Sequence, residues 1–295
     1  RKINIKETIE GVYFREPITA KKGSSKEYLL RLCSINKIGQ IPIIDTDRKV
    51  IDLFVADDEL LKRQHENHVV LMVGGLGTRL RPMTETTPKP MLNVGGKPIL
   101  QTIVKGFVDS GFTNITMCLG YKSNVIQDYF KDGGEFGVSI TYIVEDKRMG
   151  TAGALTLLEN KPNKPFFVMN GDLLTNVNYS KMLDFHGSSN SKATMCVREY
   201  DIGVPYGVVN TDDERIISIE EKPIHSFFVN AGIYLLDPKC IDLIPNNEFY
   251  DMPSLFEKMI SNNDKIVSFP LNEYWLDIGR LEDYTKANKE YCSVF

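Results

Sequence analysis

Three glycines in four positions, closed by an arginine, follow the apolar run VVLMV as Gly74-Gly75-Leu76-Gly77-Thr78-Arg79, and Lys89-Pro90 comes ten residues later. Glycines of this kind let main-chain N–H groups turn toward an anion with no Cβ in the way. A tight strand-to-helix turn would account for the glycines alone. Two familiar phosphate loops do not fit. A Walker loop needs GxxxxGK[ST], and no Lys-Ser or Lys-Thr follows at that spacing. A dinucleotide fingerprint needs GxGxxG, and the sixth residue from Gly75 is Leu80. The basic residues add what the glycines lack. Pro82, Pro88 and Pro90 keep the intervening segment non-helical, so that Lys89 can fold back beside the glycines. Arg79 offers a planar fork for phosphate oxygens and Lys89 a compact charge. Together they suit a triphosphate held without a Walker lysine, whereas Arg81 reads as a solvated side chain.

Carboxylates supply the second half of the chemistry. FFVMNGDLL ends a buried strand in Asp172, and EYWLDIGRLEDY carries Asp277. Either could be a helix N-cap. At the carboxyl edge of a parallel sheet, however, Asp172 would stand where ligands bind in open α/β folds. IISIEEKPI carries Glu220, Glu221 and Lys222, which read locally as the charged end of an exposed strand. Asn230, in FFVNAGIYLL, can pair with hydroxyls or form a turn.

These residues need elements to position them. From Val69 onward, VVLMVG, NITMCLG, VSITYIVE and PFFVMNGD read as strands. Between them KPILQTIVKGFVDSG, KSNVIQDYFKDG and TAGALTLLEN read as helices. That alternation predicts a mostly parallel sheet covered by helices. After Asp172, strands dominate (ATMCVREY, YGVVNTD, RIISIEEKP, FFVNAGIYLLD) and predict a mixed, partly antiparallel extension. Helices return in DMPSLFEKMISNN and RLEDYTKANKEY. Ahead of Val69 the order is helix, short strand, turn, strand, helix. Leu29, Leu30, Leu32 and Ile35 give an apolar helical face, QIPIID and KVIDLFV the strands, and DDELLKRQHEN a helical linker. The domain expectation is 1–66 and 67–295.

The 295 residues carry a net charge of −4, which argues against non-specific nucleic-acid binding. No apolar run reaches the ~18–20 residues of a membrane span. No signal-peptide pattern opens the chain, and sequence is expected to precede Arg1. Five dispersed cysteines without a CxxC pair fit reduced thiols in a cytoplasm, and the four scattered histidines suggest no His/Cys metal site.

The run GGLGTRLRPMTETTPKPMLNVGGKPIL closely resembles the signature of the sugar-1-phosphate nucleotidyltransferases, G-G-x-G-T-R-L followed by K-P. Further matches recur in family order through WLDIG, over roughly residues 68–291. The resemblance implies an α/β fold with a Rossmann-like mixed sheet of the GT-A-like type. It also implies transfer of a nucleotidyl group from an NTP to a sugar 1-phosphate, releasing pyrophosphate. By that resemblance Gly74, Gly75, Gly77 and Thr78 bind the nucleotide, as does a second loop, Gly150, Thr151 and Ala152, with Glu145 and Asp146 near base or ribose. Arg79, Lys89, Asp172 and Lys222 are the catalytic set. Asp172 and Asp277 hold the divalent ion, which all-oxygen ligands make Mg²⁺. Gly207, Glu221, Lys222 and Asn230 receive the sugar phosphate. Leu174 stands where many related glycosyltransferases place the third residue of a DxD triplet, so the resemblance favours making a nucleotide sugar over consuming one. GGLGTRLRPMT is most similar to mannose-1-phosphate guanylyltransferases, and GTP with a mannose or glucosamine 1-phosphate is the expected pair. A catalytically silent paralogue that binds nucleotide sugars is the alternative, and a homo-oligomer is expected.

Residues 10–62 resemble one cystathionine-β-synthase (CBS) motif, in the order Pro-Ile-Thr, helix, IPIID, turn, strand. Such motifs work in pairs on adenosine nucleotides. Val55 stands where Ser or Thr usually holds phosphate, while Asp58 keeps the ribose position, so packing or dimerisation is favoured over nucleotide sensing. A CBS motif ahead of such a domain resembles bacterial enzymes that make GDP-activated sugars for surface polysaccharides.

Overall fold

A computed structural model describes residues 16–36, 38–56 and 64–295, and the chain divides between Gln64 and His65 into two compact units. In the first unit, β1 (Ala20–Lys21), α1 (Lys26–Asn36), β2 (Gln40–Ile44) and β3 (Val50–Val55) make a three-stranded sheet, ordered β1-β2-β3, with one helix. Strand periodicity drives Ile41 and Ile43 into the core beside Ala20, Leu29, Cys33 and Ala56. The expected helical face is only partly realised. Leu29 is buried, Leu30 and Leu32 are half-buried, and Ile35 is 61% exposed. Cys33 takes the inward place because it lies one turn above Leu29. Residues 57–63, most of the expected linker helix and with them Asp58, lie outside the described residues.

The second unit begins with β4 (Val69–Val73), a small hairpin of β5 (Asn93–Val94) and β6 (Lys97–Pro98), α2 (Ile99–Asp109), β7 (Asn114–Leu119), α3 (Ser123–Phe130) and β8 (Ser139–Val144). It continues through α4 (Gly150–Gly153), β9 (Phe166–Asn170), β10 (Leu173–Thr175), α5 (Tyr179–Ser189) and β11 (Ala193–Gly203). Then come β12 (Val208–Asp212), β13 (Arg215–Glu220), β14 (Ile224–Leu236), α6 (Met252–Ser261), β15 (Ile266–Pro270), β16 (Trp275–Asp277) and α7 (Leu281–Val294). Seven strands form one mixed sheet in the order β15-β11-β14-β9-β4-β7-β8. β8, β7, β4 and β9 run parallel, β14 is antiparallel to β9 and β11, and β15 is parallel to β11.

The apolar runs at β4 and β9 are continuous because both faces are covered. Val69, Leu71, Val73, Phe167 and Met169 face one core with Phe107 of α2 and Phe130 of α3. Val70, Phe166 and Val168 face the other, with Met252, Leu255 and Met259 of α6. After β4 the chain lays β7 and β8 on one side, then crosses to place β9 on the other. The carboxyl ends of β4 and β9 therefore border a topological switch point, where open α/β sheets bind ligands.

Three local expectations change. TAGALTLLEN makes only the single turn α4 and a 3-10 turn, Ala154–Leu157. A helix, α5, occurs in a stretch for which no element was expected, with Asn178 accepting at its N-cap from the Lys181 amide. Gly187 and two serines in its last turn dilute the helical signal. The three-residue strands β10 and β16 pair, Leu173 opposite Asp277, from about a hundred residues apart in sequence. Among the described residues no helix is long and apolar enough to cross a membrane.

Candidate active site

β4 ends at Val73 and the glycine loop leaves its carboxyl end. Gly74 packs so closely on Glu145 that an added Cβ would lie 3.0 Å from the carboxylate Oε1. Gly77 is left-handed (φ 62°), and a single 3-10 turn, Thr78–Leu80, carries Arg79 to the surface. Among the described residues, none of the main-chain N–H groups of residues 75–79 donates to a protein acceptor. The loop thus presents a row of open donors, together with the Arg79 guanidinium. The proline-rich segment returns as foreseen. A second 3-10 turn, Lys89–Met91, puts the Lys89 Cβ 3.1 Å from where a Gly77 Cβ would sit.

Asp172 follows β9 through Gly171. A Cβ on Gly171 would strike Val73 Cγ1 at 2.1 Å, so only glycine lets the chain turn this tightly over β4. Lys89 Nζ donates to Asp172 Oδ2 at 2.5 Å and lies 3.8 Å from Asp277 Oδ1. The β10–β16 pairing delivers Asp277 to this cluster, and Ile278 N donates to the Asp172 carbonyl. Neither aspartate is a helix cap. A strand follows Asp172, and α7 starts after Arg280, whose amide is capped by Asp283. The Asp277 carboxyl is held above its usual range, first by desolvation and then by the Asp172 charge, with Lys89 and Arg79 opposing. Asp172 Oδ1 is buried with no hydrogen-bond partner, which is costly unless a further donor or cation arrives. Two carboxylates, one with an orphaned oxygen and, among the described residues, no histidine or cysteine grouped with them, form a hard-oxygen donor set that fits a small divalent cation.

The other expected residues are distributed as follows. After Gly150 (φ 76°) the amides of Thr151 and Ala152 turn inward. Thr151 N donates to Asp251 Oδ1 (3.0 Å) and Ala152 N to the Tyr250 carbonyl (2.9 Å). That loop is tied to the start of α6, so its open surface is side chain and Cα. Glu145 joins the two loops: its Oε2 accepts from Met149 N at 3.1 Å while Oε1 stays at Gly74. Burial raises the Glu145 carboxyl above its usual range, the Met149 amide opposing. Asp146 is exposed. Gly207 precedes the β12–β13 ribbon, and a Cβ there would lie 3.0 Å from Glu221 Oε2, so Gly207 and Glu221 are neighbours. Lys222, left-handed at φ 47°, is exposed at the end of that ribbon. Among the described residues, neither Glu221 nor Lys222 bonds the Lys89–Asp172 cluster. Asn230 is in β14 rather than a turn. Its Oδ1 accepts from Gly232 N and its Nδ2 donates to the Tyr234 hydroxyl. It borders a small pocket of about 110 Å³ with Asn170, Trp275 and Asp277. Asn170 and Trp275 were not anticipated, because the wall they share is assembled across β9, β14 and β16, which no local pattern announces. The first unit has its own open cleft of about 460 Å³, lined by Lys21, Lys22, Ser24, Asp52 and Val55 among others.

The model of the nucleotidyl transferase family matches residues 68–294. The chain is similar to mannose-1-phosphate guanyltransferases of Debaryomyces hansenii and Saccharomyces cerevisiae, each 34% identical over 76% of this chain. The matched region covers 64% of the length of those relatives. Among solved structures it is similar to a putative glucose-1-phosphate thymidylyltransferase from Bacillus anthracis (27% identity, TM-score 0.62, 75% of this chain and 94% of that one). It is also similar to HddC from Yersinia pseudotuberculosis complexed with GMP-PN (29% identity, TM-score 0.59, 76% of this chain and 99% of that one).

Proposed function

Because the chain belongs to the nucleotidyl transferase family, we propose that it joins GTP to a sugar 1-phosphate of the mannose or glucosamine type, releasing pyrophosphate. The observation that carries this reading is the meeting of open amides at residues 75–79 with Lys89, Asp172 and Asp277 at one switch point. The guanyltransferase relatives support GTP, as does the fixed Glu145 carboxylate, whose two oxygens can accept from guanine N1–H and N2–H.

A sugar 1-phosphate is already an anionic nucleophile, so the reaction needs no general base. Three of the four histidines are engaged with hydroxyls elsewhere: His65 with Ser180, His68 with Thr116 and His186 with Thr194. A sugar-phosphate oxygen forms a bond to the α-phosphorus as the bond from that phosphorus to the pyrophosphate oxygen breaks. The barrier is the approach of two anions, so positioning and charge neutralisation carry the catalysis. Arg79 and the loop amides hold the leaving pyrophosphate. Lys89 exchanges its bond to Asp172 for phosphate oxygens between the α-phosphate and the leaving group. Lys222 and Glu221 receive the incoming sugar phosphate, with Asn230 and Gly207 beside the sugar. Asp172 and Asp277 would hold Mg²⁺, which when bound offsets negative charge on the α-phosphate.

Four NTPs assayed against mannose, glucose, glucosamine and heptose 1-phosphates, with pyrophosphate release as readout, test the reading. GTP with one of the two expected sugars should give the highest kcat/KM, and Arg79→Ala should lower turnover ~10²–10³-fold in a folded protein. No pyrophosphate from any pair, with nucleotide sugar still bound, would make the chain a silent binding paralogue instead.

A further inference from the structure

Thr84 is the residue of the phosphate loop that the reaction above leaves without a task. It is a polar side chain only 1% exposed. Its hydroxyl donates to the Gly77 carbonyl at 2.8 Å, and Leu80 N donates to the same oxygen at 3.0 Å. Its Cγ2 and Cβ lie 3.0 and 3.2 Å from the point a Gly77 Cβ would occupy, and Lys89 Cβ closes the same space at 3.1 Å. Gly77, Thr84 and Lys89 therefore pack as one knot beneath the loop. A trans peptide directs its N–H opposite to its C=O. With the Gly77 carbonyl bonded inward to Thr84, the N–H of Thr78 in the same peptide must point outward, away from the knot. That N–H is one of the open donors of the loop.

We infer that Thr84 is a positioning residue for the pyrophosphate end of the nucleotide. Its hydroxyl fixes the plane of the Gly77–Thr78 peptide, and its methyl group sets where the Lys89 stem leaves the loop. The inference rests on the reading that this loop grips the leaving pyrophosphate.

Binding of inorganic pyrophosphate with Mg²⁺, measured by calorimetry, tests it without turnover. Steady-state kinetics then separates the two substrates. Thr84→Val keeps the shape and removes the donor, so its pyrophosphate Kd should rise about tenfold while KM for the sugar phosphate stays put. Thr84→Ser keeps the donor and should stay within about twofold of wild type. Thr84→Ser and Thr84→Ala differ by the hydroxyl alone and provide the same comparison should the valine variant not fold. Equal pyrophosphate binding by Thr84→Val and wild type, an effect shared equally by the sugar phosphate, or no binding by wild type would each overturn the inference. A wild-type protein that binds pyrophosphate through Thr84 yet never releases it in the substrate panel would overturn the proposed reaction and leave this positioning role standing.

Discussion

At the scale of single residues, the site is a contest between burial and charge. Asp172 keeps one oxygen on Lys89 and one buried with no partner, and Glu145 is pushed up by burial against the pull of a single amide. Glu145 gives a prediction with a definite sign. Its folded pKa lies above the unfolded value of about 4.3. The folded state therefore holds the proton more tightly, and the stability this contributes is present below the unfolded pKa and lost as pH rises through the folded one. Glu145→Gln cannot ionise, and its amide oxygen can still accept from Met149 N. Thermal melts should show the variant gaining on wild type between pH 4 and pH 8, and a difference that does not change with pH would contradict the assignment. In the assay the same variant should lose about 10–10²-fold in kcat/KM with GTP, the worth of a charged hydrogen bond.

At the scale of elements, two strand contacts bring the chemistry together. β9 turns over β4 through Gly171, and β10 pairs with β16 to set Asp277 beside Asp172. Gly171→Ala forces a Cβ within 2.1 Å of Val73 Cγ1, in the packed interior of β4. It should cost about 1–3 kcal/mol of stability, read as a lower urea midpoint, and displace Asp172 enough to depress turnover further than the stability loss explains. Gly187→Ala is the contrasting case. It lies in α5 with nothing within 4 Å of its added Cβ, and should stabilise by about 0.5–1 kcal/mol. Equal urea midpoints for the two variants would remove the close approach at Gly171 as a structural determinant.

At the scale of the whole molecule, the two units have separate cores. Ala20, Leu29, Cys33, Ile41, Ile43 and Ala56 form one, and every buried residue of the two larger clusters lies at Val69 or beyond. Residues 65–295 expressed alone should therefore unfold cooperatively and retain pyrophosphate release within a fewfold of the full chain. An aggregated or inactive fragment would show instead that the first unit is needed for the second. The sequence was most legible where physics is local. The alternation of strands and helices, the glycine loop with Arg79, and the return of Lys89 beside it follow from periodicity, proline stiffness and charge. It was least legible at α5, where glycine and serines blur the helical period, and at β10 and β16, three residues each, which are strands only because they pair with one another. By itself the sequence determined which groups could meet phosphate and that a covered sheet would carry them. Only the tertiary structure decided that Lys89, Asp172 and Asp277 share one point, that the Thr151 and Ala152 amides are spent on Asp251 and Tyr250 just ahead of α6, and that Thr84 lies beneath Gly77. Those outcomes depend on contacts between segments far apart in the chain, and such contacts leave no period, spacing or composition for a linear reading to detect.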